Sequence, residues 1–139
     1  MRSRENGQAL IETLLLGLFL MIPLLWGLGI LADLHRVALA TTSAAREAGF
    51  ELARSASALQ GGREADKAIA RALVDHGLDP RDARVEWSMN RLERGSPVEV
   101  VVSFPVPVVA APFIGSVSGP SVWVHAKSVA RVDLYRSRR

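Results

Sequence analysis

Residues 13–32, TLLLGLFLMIPLLWGLGILA, contain no charged side chain. The run has about the twenty residues that a helix needs to cross the hydrocarbon core of a bilayer, so it predicts a transmembrane helix. Gly17, Gly27 and Gly29 are tolerable there, because lipid forces the backbone groups to bond within the helix, whereas Pro23 removes one donor and is expected to kink it. A chain of 139 residues then has room for one span and one small aqueous domain, not for two independent cores.

Charge sets the expected orientation. Arg2 and Arg4 precede the run, and Arg36 and Arg46 follow it. The short leading segment is the denser in cations, and a long following domain translocates despite its own charges, which places the N-terminus in the cytoplasm and the rest outside the cell membrane. The seventeen Lys plus Arg residues are scattered and form no basic stripe interleaved with aromatics, so the net charge of +3 is a solvating excess and nucleic acid is not an expected partner. Cysteine is absent, which excludes disulfides and thiolate sites. One residue does not suit a plain anchor: Glu12 abuts the apolar run, where a carboxylate is costly unless it serves a purpose or meets the positive end of the helix dipole.

The residues around it read Asn6-Gly7-Gln8-Ala9-Leu10-Ile11-Glu12-Thr13, behind a short basic leader. This resembles the class III signal of type IV pilin-like proteins, in which prepilin peptidase cuts after the Gly and leaves a Glu as the fifth residue of the mature chain. The resemblance implies a cut between Gly7 and Gln8, with the membrane helix retained. It also implies a role for Glu12 in assembly, pairing with the N-terminal ammonium of a neighbouring subunit, since a buried carboxylate needs compensation. A second likeness follows the run: Ala45-Arg46-Glu47-Ala48-Gly49 is similar to an Ala-Arg-Glu-Gly-like block of TadE-like proteins, with Ala and Gly in the reverse of the commoner order, and Thr13 stands where an aromatic is common. By this resemblance the chain is a minor pseudopilin of a Tad-type pilus. Its implied partners are prepilin peptidase, other pilin-like subunits, the Tad assembly platform proteins and membrane lipid, with no cofactor. The rival reading, a secretory signal cut after Ala38-Leu39-Ala40, is weakened by an apolar run longer than a usual signal core and by Asp33, His35 and Arg36 before the triplet.

Beyond Ala32 an Ala-rich stretch of high helix propensity is expected to continue the helix through Leu59, with Gly61-Gly62 as the break. Ala65, Ile69, Ala72 and Leu73 then recur at helical spacing over residues 63–76, closed by Gly77 and Asp79-Pro80. The period changes to two in three strand candidates. Val85, Trp87 and Met89 share one face, as do Val98, Val100, Val102 and Phe104, while the third runs over residues 122–135 with Val122, Val124, Ala126, Ala130, Val132 and Leu134 together. The fold class is thus α+β: a long N-terminal helix, a second amphipathic helix and a small antiparallel three-stranded sheet, an architecture similar to a pilin. The expected division is a leader at 1–7, span and helical stem at 8–60, and a head at 61–139. Residues 105–120 are apolar but broken by Pro105, Pro107, Pro112 and Pro120, and are read as a non-strand loop. Through Val108, Val109, Phe113 and Ile114 that loop either covers the core or contacts a partner, the latter fitting an unprocessed, membrane-anchored extracytoplasmic binding protein.

No catalytic constellation survives inspection. His35, His76 and His125 have no companions at metal-ligand spacing, and Gly115-Ser116-Val117-Ser118-Gly119 places Val where a nucleophile elbow needs Ser. The chain is therefore not expected to be an enzyme.

Overall fold

The computed structural model describes residues 2–89, 95–108 and 120–132. In chain order it contains helix α1 (Arg2–Arg54), helix α2 (Ala58–Asp75), a 3-10 turn (Pro80–Asp82) and strands β1 (Arg84–Met89), β2 (Pro97–Pro107) and β3 (Ser121–Arg131). The strands form one antiparallel sheet in the order β1-β2-β3, an α+β layout. The chain divides into two compact units, Met1–Asp33 and Leu34–Arg139, and the division falls within α1.

In the first unit α1 is apolar on every side. Leu10, Leu14, Leu18, Phe19, Leu25 and Leu28 are all exposed, with Phe19 at 78%. A helix hydrophobic all round must be covered by something other than water, and this one is long and apolar enough to cross a membrane, with none of its most apolar stretch buried within the chain. The helix runs through Pro23 without interruption.

The second unit builds its core from three faces. The C-terminal part of α1 buries Val37, Ala40, Thr41, Ala44, Ala45, Ala48 and Leu52, a stripe at three- and four-residue spacing. Thr41 is accommodated because its hydroxyl donates to the carbonyl of Val37 at 2.9 Å. From α2 come Ala65, Ala68, Ile69, Ala72 and Leu73, and from β2 Val98, Val100, Val102, Phe104 and Val106. The small side chains of α1 let it lie close to the sheet. A Cβ on Gly49 would meet the Ser128 Oγ at 3.3 Å and the Ala130 Cβ at 3.5 Å, so this is where α1 crosses β3.

The break between helices differs from expectation. It lies at Ser55-Ala56-Ser57, and Gly61-Gly62 are buried inside α2, so the expected division at residue 60 falls within a helix. Ser57 caps α2, its hydroxyl accepting from the Gln60 N–H at 3.3 Å. The pair Ser57 and Gln60 has the spacing of a capping box, which outweighs the helix-weakening effect of the two glycines. The glycines are there for close approach: a Cβ on Gly61 would overlap the Ser55 side chain, and one on Gly62 would rest at 3.4 Å from the Trp87 ring. The far end of α2 closes as expected at Gly77, at φ +70°, where the Gly77 and Leu78 N–H groups return to the carbonyls of Val74 and Leu73. This is the Schellman arrangement, and Leu73 and Leu78 are both buried beside it.

Two strand limits also differ. β2 continues through Pro105 and Pro107, which pair with Trp123 and Ser121, instead of ending before Pro105. The N–H of Val108 reaches the Pro120 carbonyl and the Ser96 carbonyl accepts from Val132, so even-numbered residues of β2 direct their polar groups at β3. Odd-numbered residues, including Pro97, Pro105 and Pro107, therefore face the β1 side, where β1 pairs only with Val98 to Ser103. The missing donors of Pro105 and Pro107 fall beyond the start of β1 at Arg84, where no ladder bond is lost, and Pro97 opens the strand. β3 ends at Arg131, and Leu134, Tyr135 and most of residues 91–96 lie outside the described residues. Val122, expected on the buried face, is exposed, since it opens β3 while α1 crosses that strand near Ser128 and Ala130.

Asp79 stabilises the 3-10 turn by accepting from the Arg81 guanidinium and from the Arg81 N–H, bonds that hold its carboxyl down at about 2. A lowered folded value means stabilisation that is complete above the ordinary carboxylate range and is lost as pH falls from about 4 toward 2.

The adjacent glycines of α2 give opposite signs on substitution. Gly61→Ala gains about 1 kcal/mol of helix propensity but crowds buried Ser55, and overpacking of about 1–3 kcal/mol wins. Gly62→Ala meets only ordinary contact and is neutral to stabilising by up to about 1 kcal/mol. Chemical denaturation of the detergent-solubilised chain, followed by circular dichroism, compares the two; equal shifts would show that the close approach to Ser55 is not limiting.

Candidate functional site

Gly7, Gln8 and Glu12 all lie on α1 and are exposed. Gly7 has open space around it, with nothing within 4 Å of an added Cβ. Gln8 and Glu12 share one helix face with Ile11, Leu15, Phe19 and Ile22. Four residues of rise separate Gln8 from Glu12 by about 6 Å along the axis. A cationic group at position 8 would therefore stand one turn from the Glu12 carboxylate, at the border of the apolar stretch. Thr13, off this face, donates its hydroxyl to the Ala9 carbonyl at 2.9 Å, and of the described residues that line the face Glu12 is the one that ionises. The Gly7–Gln8 peptide is helical in this structure. A protease would have to unwind it, and Gly7 lowers that cost by about 1 kcal/mol relative to Ala.

Of the four residues of the expected partner loop, only Val108 lies among the described residues. Val108 is half-buried and closes the end of the β2–β3 ladder through its N–H to Pro120. Val109, Phe113, Ile114 and the run from Gly115 to Gly119 lie outside the described residues.

The three histidines lie apart, on α1, at the end of α2 and on β3. His35 is exposed on α1, and the His76 Nδ1 lies 2.9 Å from the Ala72 carbonyl at the end of α2. His125 and Ser103, paired across β3 and β2, share a hydrogen bond of 2.7 Å between Oγ and Nδ1. The sequence hid this pair because it depends on strand register, which places residues distant in the chain opposite each other. A nucleophilic serine needs its histidine oriented by a third group and donors for an oxyanion. The neighbours on this outer face are instead Arg84, stacked at 4.2 Å over Trp123, and the ion pair of Lys127 with Glu99 at 2.6 Å. Among the described residues no group of three metal-binding side chains converges. The pair is thus a cross-strand contact of the wet face of the sheet.

Compared with models of protein families, with curated proteins and with solved structures, the chain matches none.

Ser103→Ala is expected to cost about 0.5–1.5 kcal/mol, the net worth of one hydrogen bond, and to leave membrane insertion untouched. Denaturation and membrane fractionation check both parts.

Proposed function

We propose that the chain is a TadE-like minor pseudopilin that takes part in assembly of a Tad-type pilus after prepilin peptidase cuts between Gly7 and Gln8. The observation that carries the reading is a Gly, then a Glu five residues on, set at the border of a helix long and apolar enough to span a membrane. Each part is common alone, and the combination is restrictive. Supporting it further, Ala45, Ala48 and Gly49 of the second resembling block are buried in the core of the second unit, with Gly49 against β3. The N-terminus would be cytoplasmic and the sheet-bearing unit extracytoplasmic, inside or at the base of the fibre. The mechanism is lateral packing of apolar helices. In lipid the new ammonium of Gln8 and the Glu12 carboxylate compensate each other between subunits, which fixes register, because removing one partner of a buried pair costs about 3–5 kcal/mol.

Intact mass and N-terminal sequencing of the protein from its native membrane test the reading, with a chain beginning at Gln8 expected. Gly7→Leu should leave the full-length chain. Glu12→Ala should be cut and inserted normally yet fail to enter assemblies, and unchanged piliation in that variant removes the register role. A start at Met1 beside an active peptidase favours the second reading, an unprocessed anchored binding protein.

A further inference from the structure

We infer that the cleft between the outer edge of β3 and the end of α1 accepts an extended, acidic segment of another protein as a fourth strand. This surface is independent of the processing signal and stands or falls without it.

The pairing of β2 with β3 assigns the edge. Even-numbered residues of β3 bond to β2, so the N–H and C=O groups of Lys127, Val129 and Arg131 point the other way, and among the described residues no strand lies there. Alongside this edge, Phe50 and Ala53 of α1 form an apolar floor, with Arg46, Arg54, Val129 and Arg131 around it. Phe50 is 59% and Val129 56% exposed. No carboxylate among the described residues forms an ion pair with the three arginines. Arg54 has an ordinary reason to be there, since it closes the negative end of α1. Arg131 alone would suit the charged guard of an edge strand. Neither reason accounts for Arg46, two turns earlier on α1, nor for three arginines lining one cleft with an apolar floor.

That combination selects its occupant. A backbone laid along β3 would satisfy the outward amides, small apolar side chains would fall on Phe50 and Ala53, and carboxylates would meet the guanidinia. A lipid headgroup offers charge but no alternating donors and acceptors. This chain offers no matching segment of its own: residues 105–120 are uncharged, and the tail after Val132 is net basic through Arg136, Arg138 and Arg139.

The test uses the full chain in neutral detergent micelles and a capped hexapeptide of alternating Glu and Val, with a Lys–Val peptide as control. Only the acidic peptide should bind, more weakly as salt rises, and it should slow amide exchange at Val129 and Arg131. Arg54→Glu should reduce its affinity by about tenfold or more. Val129→Pro should do the same, because it removes an outward donor without touching the β2 ladder. Absence of binding, unchanged exchange at Val129 and Arg131, or equal binding by the Val129→Pro and Arg54→Glu variants each overturns the proposal. Displacement of the peptide by anionic phospholipid vesicles together with unprotected edge amides overturns it in favour of a membrane surface.

Discussion

The buried face of β2 is the contact on which the second unit depends. Val98, Val100, Val102, Phe104 and Val106 meet a face of α1 made mostly of alanine, and α2 closes the remaining side. Close packing of this kind needs small residues on one surface and branched ones on the other, so that the helix approaches without leaving voids. As the central strand, β2 also carries both ladders, and its backbone alternation explains why three prolines are tolerated within it. Pro105 and Pro107 present their missing donors beyond the start of β1, and Pro97 is the first residue of the strand. The edge position of β3, and with it the surface argued above, follows from the same alternation.

Within one continuous helix the two parts of α1 face different surroundings. From residue 34 onward it buries a stripe, with Arg36, Arg46, Glu47 and Arg54 on the wet side. Before that it is apolar all round, with no stripe to distinguish one side from another. In the first part specificity cannot come from the apolar side chains, since lipid tails are as apolar as leucine. It has to come from shape and from Glu12, the one ionisable side chain in residues 8–32, which is why a single carboxylate at the border carries the functional proposal.

The outer face of the sheet shows how a wet surface is ordered without a core. Ser103 with His125, Glu99 with Lys127 and Arg84 over Trp123 are cross-strand pairs, each of modest worth in water. They fasten the register of β1, β2 and β3 and leave no unsatisfied buried side-chain atom among the described residues. The arginines beside the β3 edge contrast with them, being exposed and, among the described residues, drawn into no such pair.

The sequence by itself determined the class of each element. The uncharged run marked the apolar part of α1, the spacing of Ala65, Ile69, Ala72 and Leu73 marked the buried face of α2, and alternation in Val98, Val100, Val102 and Phe104 marked that of β2, because these periods are local geometry. That Gln8 and Glu12 share the helix of the apolar run was equally legible, for the same reason, whereas the extension of α1 back through Gly7 was not. What only the tertiary structure decided depends on partners distant in the chain. Gly61-Gly62 reads as a break until Ser55 and Trp87 arrive beside it, and Pro105 reads as a strand end until β1 is found to stop short of it. The Ser103–His125 pair and the cleft at β3 have no sequence signal at all. They arise from register and from where α1 crosses the sheet, and neither is encoded in any single segment.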